Sequence, residues 1–332
     1  MGLKAAPACR IEVGGRDVTA AFSDRLLRIV VTDNSGDDSD EVEIELDDRD
    51  YAIEEPRRGA SLTVYLGYKD APLVLLGKFV VDEALPEGPP DRFIIRGKAA
   101  DMRGGLKAPR TRSWRDTTVG AIVSQIASDQ GLQPAVASGL ASRPIVHRDQ
   151  TNESDMHFLT RLGRDFGAVA APKNGRLVFA PAGAATAASG TPLTGVTLKR
   201  SDLIDWKGVA ADREDFGSVK ARWRDRAQAR TLYETAGEGE PVKTLRHRYP
   251  TQAAAKAAAD AEFARLNRVS GGVEITLPGR ADIAAQTPIT LTGLRPSLNK
   301  QWIATRVEHQ VEFGGSGFTT RVEANQTGKV KT

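Results

Sequence analysis

Residues 301–325 read QWIATRVEHQVEF, then GGSG, then FTTRVEAN, and this stretch decides the fold. From Ile303 onward the odd positions are Ile303, Thr305, Val307, His309, Val311 and Phe313, and the even ones are Ala304, Arg306, Glu308, Gln310 and Glu312. Near-strict alternation predicts a half-buried strand with its odd residues turned inward. After the turn at Gly314, Gly315, Ser316 and Gly317, Phe318, Thr320, Val322 and Ala324 alternate with Thr319, Arg321 and Glu323. Two such runs joined by glycines predict an antiparallel hairpin.

The same succession occurs earlier, over residues 59–100. Leu62, Val64 and Leu66 alternate as Ile289 and Leu291 do later. A loop follows in each (68–72 and 293–300), then a long strand (73–83 and 301–313). A Gly/Pro-rich connection (86–90 and 314–317) leads to a closing strand (92–98 and 318–323). The reading is an α+β, β-rich chain with two similar small antiparallel β-barrel domains and an α+β insertion between them. The alternative is that two unrelated meanders look alike at this level. The expected divisions are a first barrel over 1–103, a helical insertion over 104–181, a linker over 182–195, and a second barrel over 196–332 carrying an inserted helix over 251–269. Two like barrels per subunit would give a closed threefold ring pseudo-sixfold symmetry.

In the first barrel, Leu27, Ile29 and Val31 predict a strand, and the acidic loop 33–40 leads to another. That loop lacks the ligand spacing and flanking helices of a calcium-binding EF-hand, so a solvated hairpin loop is expected. Val42, Ile44 and Leu46 alternate with Glu41, Glu43, Glu45 and Asp47. The acidic face is either plain exposed sheet, or a surface that meets a basic partner or lines a lumen. Lys107, Arg110, Arg112 and Arg115 beside Trp114 fit a solvated strand or a subunit contact better than a nucleic-acid site.

In the insertion, Val119, Ile122, Val123, Ile126 and Ala127 form one helical stripe, with Asp116 or Thr117 as N-cap and Gly131 past its end. Met156, Leu159, Leu162 and Phe166 line a second helix from about residue 153, capped by Thr151 or Asn152 and ended by Gly167. Asn174-Gly175 predicts a hairpin joining 168–171 to 177–180. Residues 182–192, rich in Ala, Gly, Ser and Thr, read as a flexible linker. Val219, Ala221 and Trp223 alternate as a strand. Ala255, Ala259, Phe263 and Leu266 line the later helix behind its cap Thr251.

The chain's 332 residues suffice for two or three domains. A net charge of +3 with 27% charged residues lacks the basic excess of a dedicated nucleic-acid binder. One cysteine, Cys9, allows no intrachain disulfide. No apolar run approaches the length of a membrane-spanning helix, and no secretory signal is visible. His147, His157, His247 and His309 share no metal-binding spacing, and His309 is expected as a hydrogen-bonded core or interface residue. There is no GxSxG, phosphate-binding loop or dinucleotide fingerprint. The acidic pairs Glu54-Glu55 and Asp47-Asp48 look exposed. No catalytic, cofactor-binding or metal residue is assigned, and no cofactor.

The most specific feature is the block from Gln150 through Thr151, Asn152, Glu153, Ser154, Asp155, Met156, His157, Phe158, Leu159, Thr160, Arg161 and Leu162 to Phe166-Gly167. With the preceding helix from Thr117, it resembles a segment of the late control D proteins, the baseplate hubs of contractile-tailed phages. A similar segment occurs in the hub part of type VI secretion spike proteins. The resemblance covers about residues 10–325; Gly163 departs from it, standing where alanine is usual. It implies a homotrimer whose barrels form a pseudo-sixfold ring between a sixfold tail tube and a trimeric central spike. The implied partners are further copies of the chain, the spike protein, the tube or its initiator, baseplate wedge proteins and the tape measure protein, with DNA in transit only. The implied location is the virion baseplate, assembled in the host cytoplasm without membrane insertion. Competing readings are a tail-associated cell-wall hydrolase and a carbohydrate- or nucleic-acid-binding module.

Overall fold

The computed structural model describes residues 6–22, 24–35, 38–99, 104–173, 175–182, 194–209, 216–225, 228–269, 271–315 and 317–326. Most of the expected linker over 182–195 lies outside the described residues. The chain is β-rich with few helices. Its first part contains β1 (Pro7–Val13), β2 (Arg16–Asp17), the short α1 (Thr19–Phe22), β3 (Leu26–Asn34), β4 (Glu41–Asp47), β5 (Ser61–Tyr68), β6 (Val74–Glu87) and β7 (Arg92–Ala99). Next come β8 (Pro109–Thr118), α2 (Val119–Asp129), β9 (Gln133–Val136), α3 (Ser138–Ala141), β10 (Pro144–Ser154), α4 (Asp155–Phe166), β11 (Ala168–Lys173) and β12 (Arg176–Pro181). The last part holds β13 (Val196–Lys199), β14 (Asp205–Val209), β15 (Ser218–Asp225), β16 (Arg230–Gly237), β17 (Val242–Tyr249), α5 (Gln252–Val269), β18 (Gly272–Pro278), β19 (Pro288–Thr292), β20 (Gln301–Glu312) and β21 (Gly317–Gln326).

Separate closed barrels were expected; instead, strands from both ends of the chain join one open 13-stranded sheet. Its order is β14-β18-β21-β20-β3-β4-β7-β6-β5-β1-β2, with β13 beside β19 and β19 beside β20. The join is at β20. Its opening residues pair with β19, as Ile303 does with Pro288, whereas its Arg306 to Glu312 stretch pairs with β3. A bulge between Ala304 and Arg306 separates the two registers. An extra residue bends a strand and resets which side chains face inward. Trp302 and Ala304 are therefore buried before the bulge, and Val307, His309 and Val311 after it. Ile303 is buried as well, so alternation is lost ahead of the bulge, and the expected odd-inward pattern runs unbroken only from Val307.

Two hydrophobic cores lie along this sheet. One gathers Ile11, Ile29, Ile44, Leu62, Phe79 and Val311 with their neighbours. The other gathers Leu198, Ile275, Leu291, Trp302, Val307 and Val322. Thus β20 and β21 contribute to both cores, since Val311 and Phe318 pack in the first.

Residues 104–181 have their own core, built by the α2 stripe together with Phe158, Leu159, Leu162 and Phe179. The α2 cap is Thr118, whose hydroxyl accepts from the Ala121 amide at 3.2 Å. Gly131 takes φ +69°, as a glycine past a helix end does. The stretch from β15 to α5 departs from expectation: besides the helix, β15, β16 and β17 form a separate three-stranded sheet. Val219, Ala221, Ala255 and Ala259 make its core, and Thr251 caps α5 by accepting from the Ala254 amide at 3.2 Å. No described helix is long and apolar enough to cross a membrane.

Candidate assembly surfaces

The QTNESD block is a polar lattice that fixes the start of α4. Gln150 is fully buried. Its amide nitrogen donates to the Glu153 carbonyl and to Asp155 Oδ1, each at 2.8 Å, and its oxygen accepts from Arg112 Nε at 2.8 Å. Asn152 sits in the β10 bulge at φ +46°, a left-handed conformation that asparagine tolerates better than most residues. Its amide donates to Thr111 Oγ1 at 3.1 Å. Ser154 is the true N-cap, accepting from the His157 amide at 3.2 Å, rather than Thr151 or Asn152. Glu153 instead accepts from Arg161 at 2.7 Å and contacts His157 Nδ1 at 2.8 Å. Burial alone would raise the Glu153 carboxyl, but Arg161 and His157 outweigh it and hold it below its usual value. Asp155, fully buried, accepts from Arg112, Gln150 and Gln130.

Two members of the basic run 107–115, Arg110 and Arg112, are drawn into the same lattice. Arg112 and Arg110 reach Asp129 and Asp155, and Arg112 lies over the Trp114 ring at 4.7 Å. Trp114 itself stacks on Phe158. The Arg110 and Arg112 charges are satisfied internally, which leaves little for phosphates.

The acidic face of β4 is neutralised by its neighbours in the sheet. Glu43 accepts from Arg28 at 2.5 Å and Arg96 at 2.9 Å. Glu45 accepts from Arg92 at 2.6 Å and Arg28 at 3.2 Å. Register explains this: Glu43 lies opposite Arg96, and Glu45 opposite Arg28. A uniformly negative lumen strip is therefore not what β4 presents.

Loop 33–40 is also more than a solvated turn. Lys173, at the tip of the β11–β12 hairpin, binds Asp33, both Asp40 oxygens (2.6 and 2.7 Å) and the Asn34 carbonyl at 3.0 Å. Burial alone would lower the Lys173 ammonium, but Asp33 and Asp40 outweigh it and keep it charged. One cation cannot fully offset two carboxylates, and burial beside Asp33 pushes Asp40 up to about 6. Asp33 accepts in addition from the Ala285 amide at 2.8 Å, so one aspartate links β3, the insertion and the β18–β19 connection. A cleft of about 330 Å³ opens beside this knot, bordered by the exposed Val74 and Leu75.

The histidines do not converge. His309 is a core residue, with Nδ1 3.0 Å from Thr320 Oγ1 and Nε2 3.1 Å from the Ile283 carbonyl. Burial drops its pKa to about 4. His147 faces Asp149 and His157 faces Glu153, while His147 and His247 border one further cleft from opposite walls. Asp47 pairs with Arg49, while Asp48 is buried rather than exposed. Sequence reading missed Lys173 and the β4 arginine ladder, since neither leaves a local signal.

The family model for the phage tail baseplate hub (GPD) matches residues 42–315. The chain is 36% identical to the "Probable baseplate hub protein" of Escherichia phage 186, over 97% of this chain and 93% of that protein. Its fold is like that of the prophage MuSo2 43 kDa tail protein from Shewanella oneidensis, with a TM-score of 0.72 at 15% identity, covering 96% and 98% of the two chains. It is also like that of the E. coli c3393 protein, a component of the type VI secretion system, with a TM-score of 0.56 at 14% identity, covering 97% and 74%. A sheet joined at β20, the QTNESD lattice that sets α4, and a family match across most of the length agree, and the chain belongs to the phage tail baseplate hub family.

Proposed function

We propose that this chain is the hub subunit of a contractile phage tail or tailocin, three copies closing into a pseudo-sixfold ring that joins the sixfold tail tube to the trimeric spike. The observation that carries this reading is a repeated strand order. In chain order, β1, β3, β4, β5, β6 and β7 are laid side by side as first, fourth, fifth, sixth, third and second. Strands β13, β14, β18, β19, β20 and β21 follow the same order. One difference is that β1 runs antiparallel to β5, whereas β13 runs parallel to β19. Two like units per subunit are what a threefold ring needs to mate with a sixfold tube. In this reading residues 1–103 and 196–332 supply the tube units, 104–181 the insertion and 182–195 the linker.

The role is mechanical rather than catalytic. Among the described residues, the outer strand β14 has one neighbour, β18, and a two-residue β2 covers only the end of β1. Unpaired strand edges favour pairing with another copy, and ring closure removes them. The spike, the tube or its initiator, wedge proteins and the tape measure protein are the proposed partners, and the virion baseplate the proposed place. Light scattering on the purified protein tests the reading. The expected mass is three times 35.7 kDa, with one spike trimer taken up per ring. A stable monomer that ignores the spike protein refutes it.

A further inference from the structure

A cleft of about 620 Å³ lies between the two inserted units. The start of β10 and part of α4 form one wall, and the ends of β15 and β17 with the first turn of α5 form the other. Five arginines line it (Arg143, Arg148, Arg161, Arg224 and Arg248) with two histidines, against a single carboxylate, Asp165. Arg148 pairs with Asp165 and Arg161 with Glu153. Among the described residues, Arg143, Arg224 and Arg248 reach no carboxylate, and the Arg143 guanidinium donates only to the Gly139 carbonyl. The cleft therefore holds a surplus of positive charge, to which the N-terminal end of α5 adds.

Its walls are strand edges. Residues 143–148 line it without a break, including Ile145, whose side chain is buried in the core of the first insertion. Side chains alternate along a strand, so an unbroken run means that the backbone edge borders the cleft. Residues 247–250 do the same, although Tyr249 is buried. Among the described residues, β10 pairs with β8 alone and β17 with β15 alone, so each keeps an edge unpaired by them.

We propose that this cleft binds an extended acidic segment of a partner protein. The open edges supply backbone donors and acceptors to an added strand. The unpaired arginines take its carboxylates, for which a planar guanidinium is the best-matched donor. Ala253, Ala254, Ala257 and the exposed Val146 suit its small apolar residues. A nucleic-acid strand would call for open aromatic faces on which to stack bases. The six-membered aromatic rings here are the half-buried Phe166 and the buried Tyr249, and the open rings are only the smaller imidazoles of His147 and His247.

Fluorescence anisotropy tests this, with a labelled peptide of alternating Glu and Val as the probe. Controls are the matching Lys-Val peptide, the Glu-Val peptide N-methylated at alternate residues, and a single-stranded oligonucleotide of similar length. The Glu-Val peptide is expected to bind, less tightly as salt rises. Binding should weaken at least about tenfold in Arg224→Glu/Arg248→Glu. Both positions are exposed, and an unchanged solution mass and thermal transition will show that the variant folds. Arg224→Gln/Arg248→Gln should lie between. The proposal is overturned if the Glu-Val peptide does not bind, if charge reversal or N-methylation leaves its binding unchanged, or if the oligonucleotide binds more tightly. The outcome is independent of the ring, since the cleft is complete within one chain.

Discussion

Replacing Asp155 by alanine should destabilise the first insertion more than any surface change in it. The side chain is fully buried and holds three partners: Arg112, Gln150 at 2.8 Å and Gln130 at 3.2 Å. Arg110 lies a further step away at 3.7 Å. Removing one member of a buried ion pair costs about 3–5 kcal/mol, mostly because the other charge is stranded. Arg112 keeps Asp129 and some contact with water, which argues for the lower end. Loss of an acidic group from the first turn of α4 adds about 0.3–1 kcal/mol. The expected total is about 3–4 kcal/mol. Asp155→Asn, which keeps one acceptor for Gln150, should cost about 1–2 kcal/mol. Hydrogen exchange of the α4 amides, read as an opening free energy across a urea series, isolates this unit from the rest of the chain. A double-mutant cycle with Arg112→Ala then measures the coupling. An Asp155→Ala protein within about 1 kcal/mol of the parent, or strict additivity with Arg112→Ala, refutes the lattice account.

Three further outcomes are expected. Gly163→Ala should destabilise despite the better helix propensity of alanine, worth about 1 kcal/mol, because its Cβ would stand 2.6 Å from the Ala168 carbonyl oxygen; a rise in melting temperature would contradict this. Lys173→Met should cost about 3 kcal/mol by stranding Asp33 and Asp40, and adding Asp40→Asn should restore part of the loss in urea titrations; no rescue would mean that the carboxylates are not in conflict. His309 is neutral when folded, with a pKa of about 4 against about 6.5 unfolded, so only the unfolded chain gains a proton in that window. Its contribution should be complete above about pH 6.5 and fall by up to about 3 kcal/mol toward pH 4, a slope that His309→Phe should lack.

Gly163 shows how the structure explains a departure from the family pattern. Its helix packs so closely on β11 that a methyl group would press on backbone, and backbone cannot rotate away.

Much of the chain was determined by sequence alone. Strand alternation, the α2 stripe, Gly131, Gly167 and the Thr251 cap act within a few residues, so their pattern carries the outcome directly. The order of the strands leading to β7 and to β21 was legible for the same reason. Tertiary structure alone decided the rest. The bulge at Thr305 turned Trp302 and Ala304 inward, and only the competition between β19 and β3 for one edge of β20 reveals why. The β4 glutamates looked like a charged surface until pairing set Arg28, Arg92 and Arg96 beside them. Lys173 meets Asp33 across 140 residues, and the arginine cleft draws on two insertions remote in sequence. Periodicity reports which face of an element is apolar. The identity of the opposing edge or charge depends on chain closure over long separations, which local pattern does not encode.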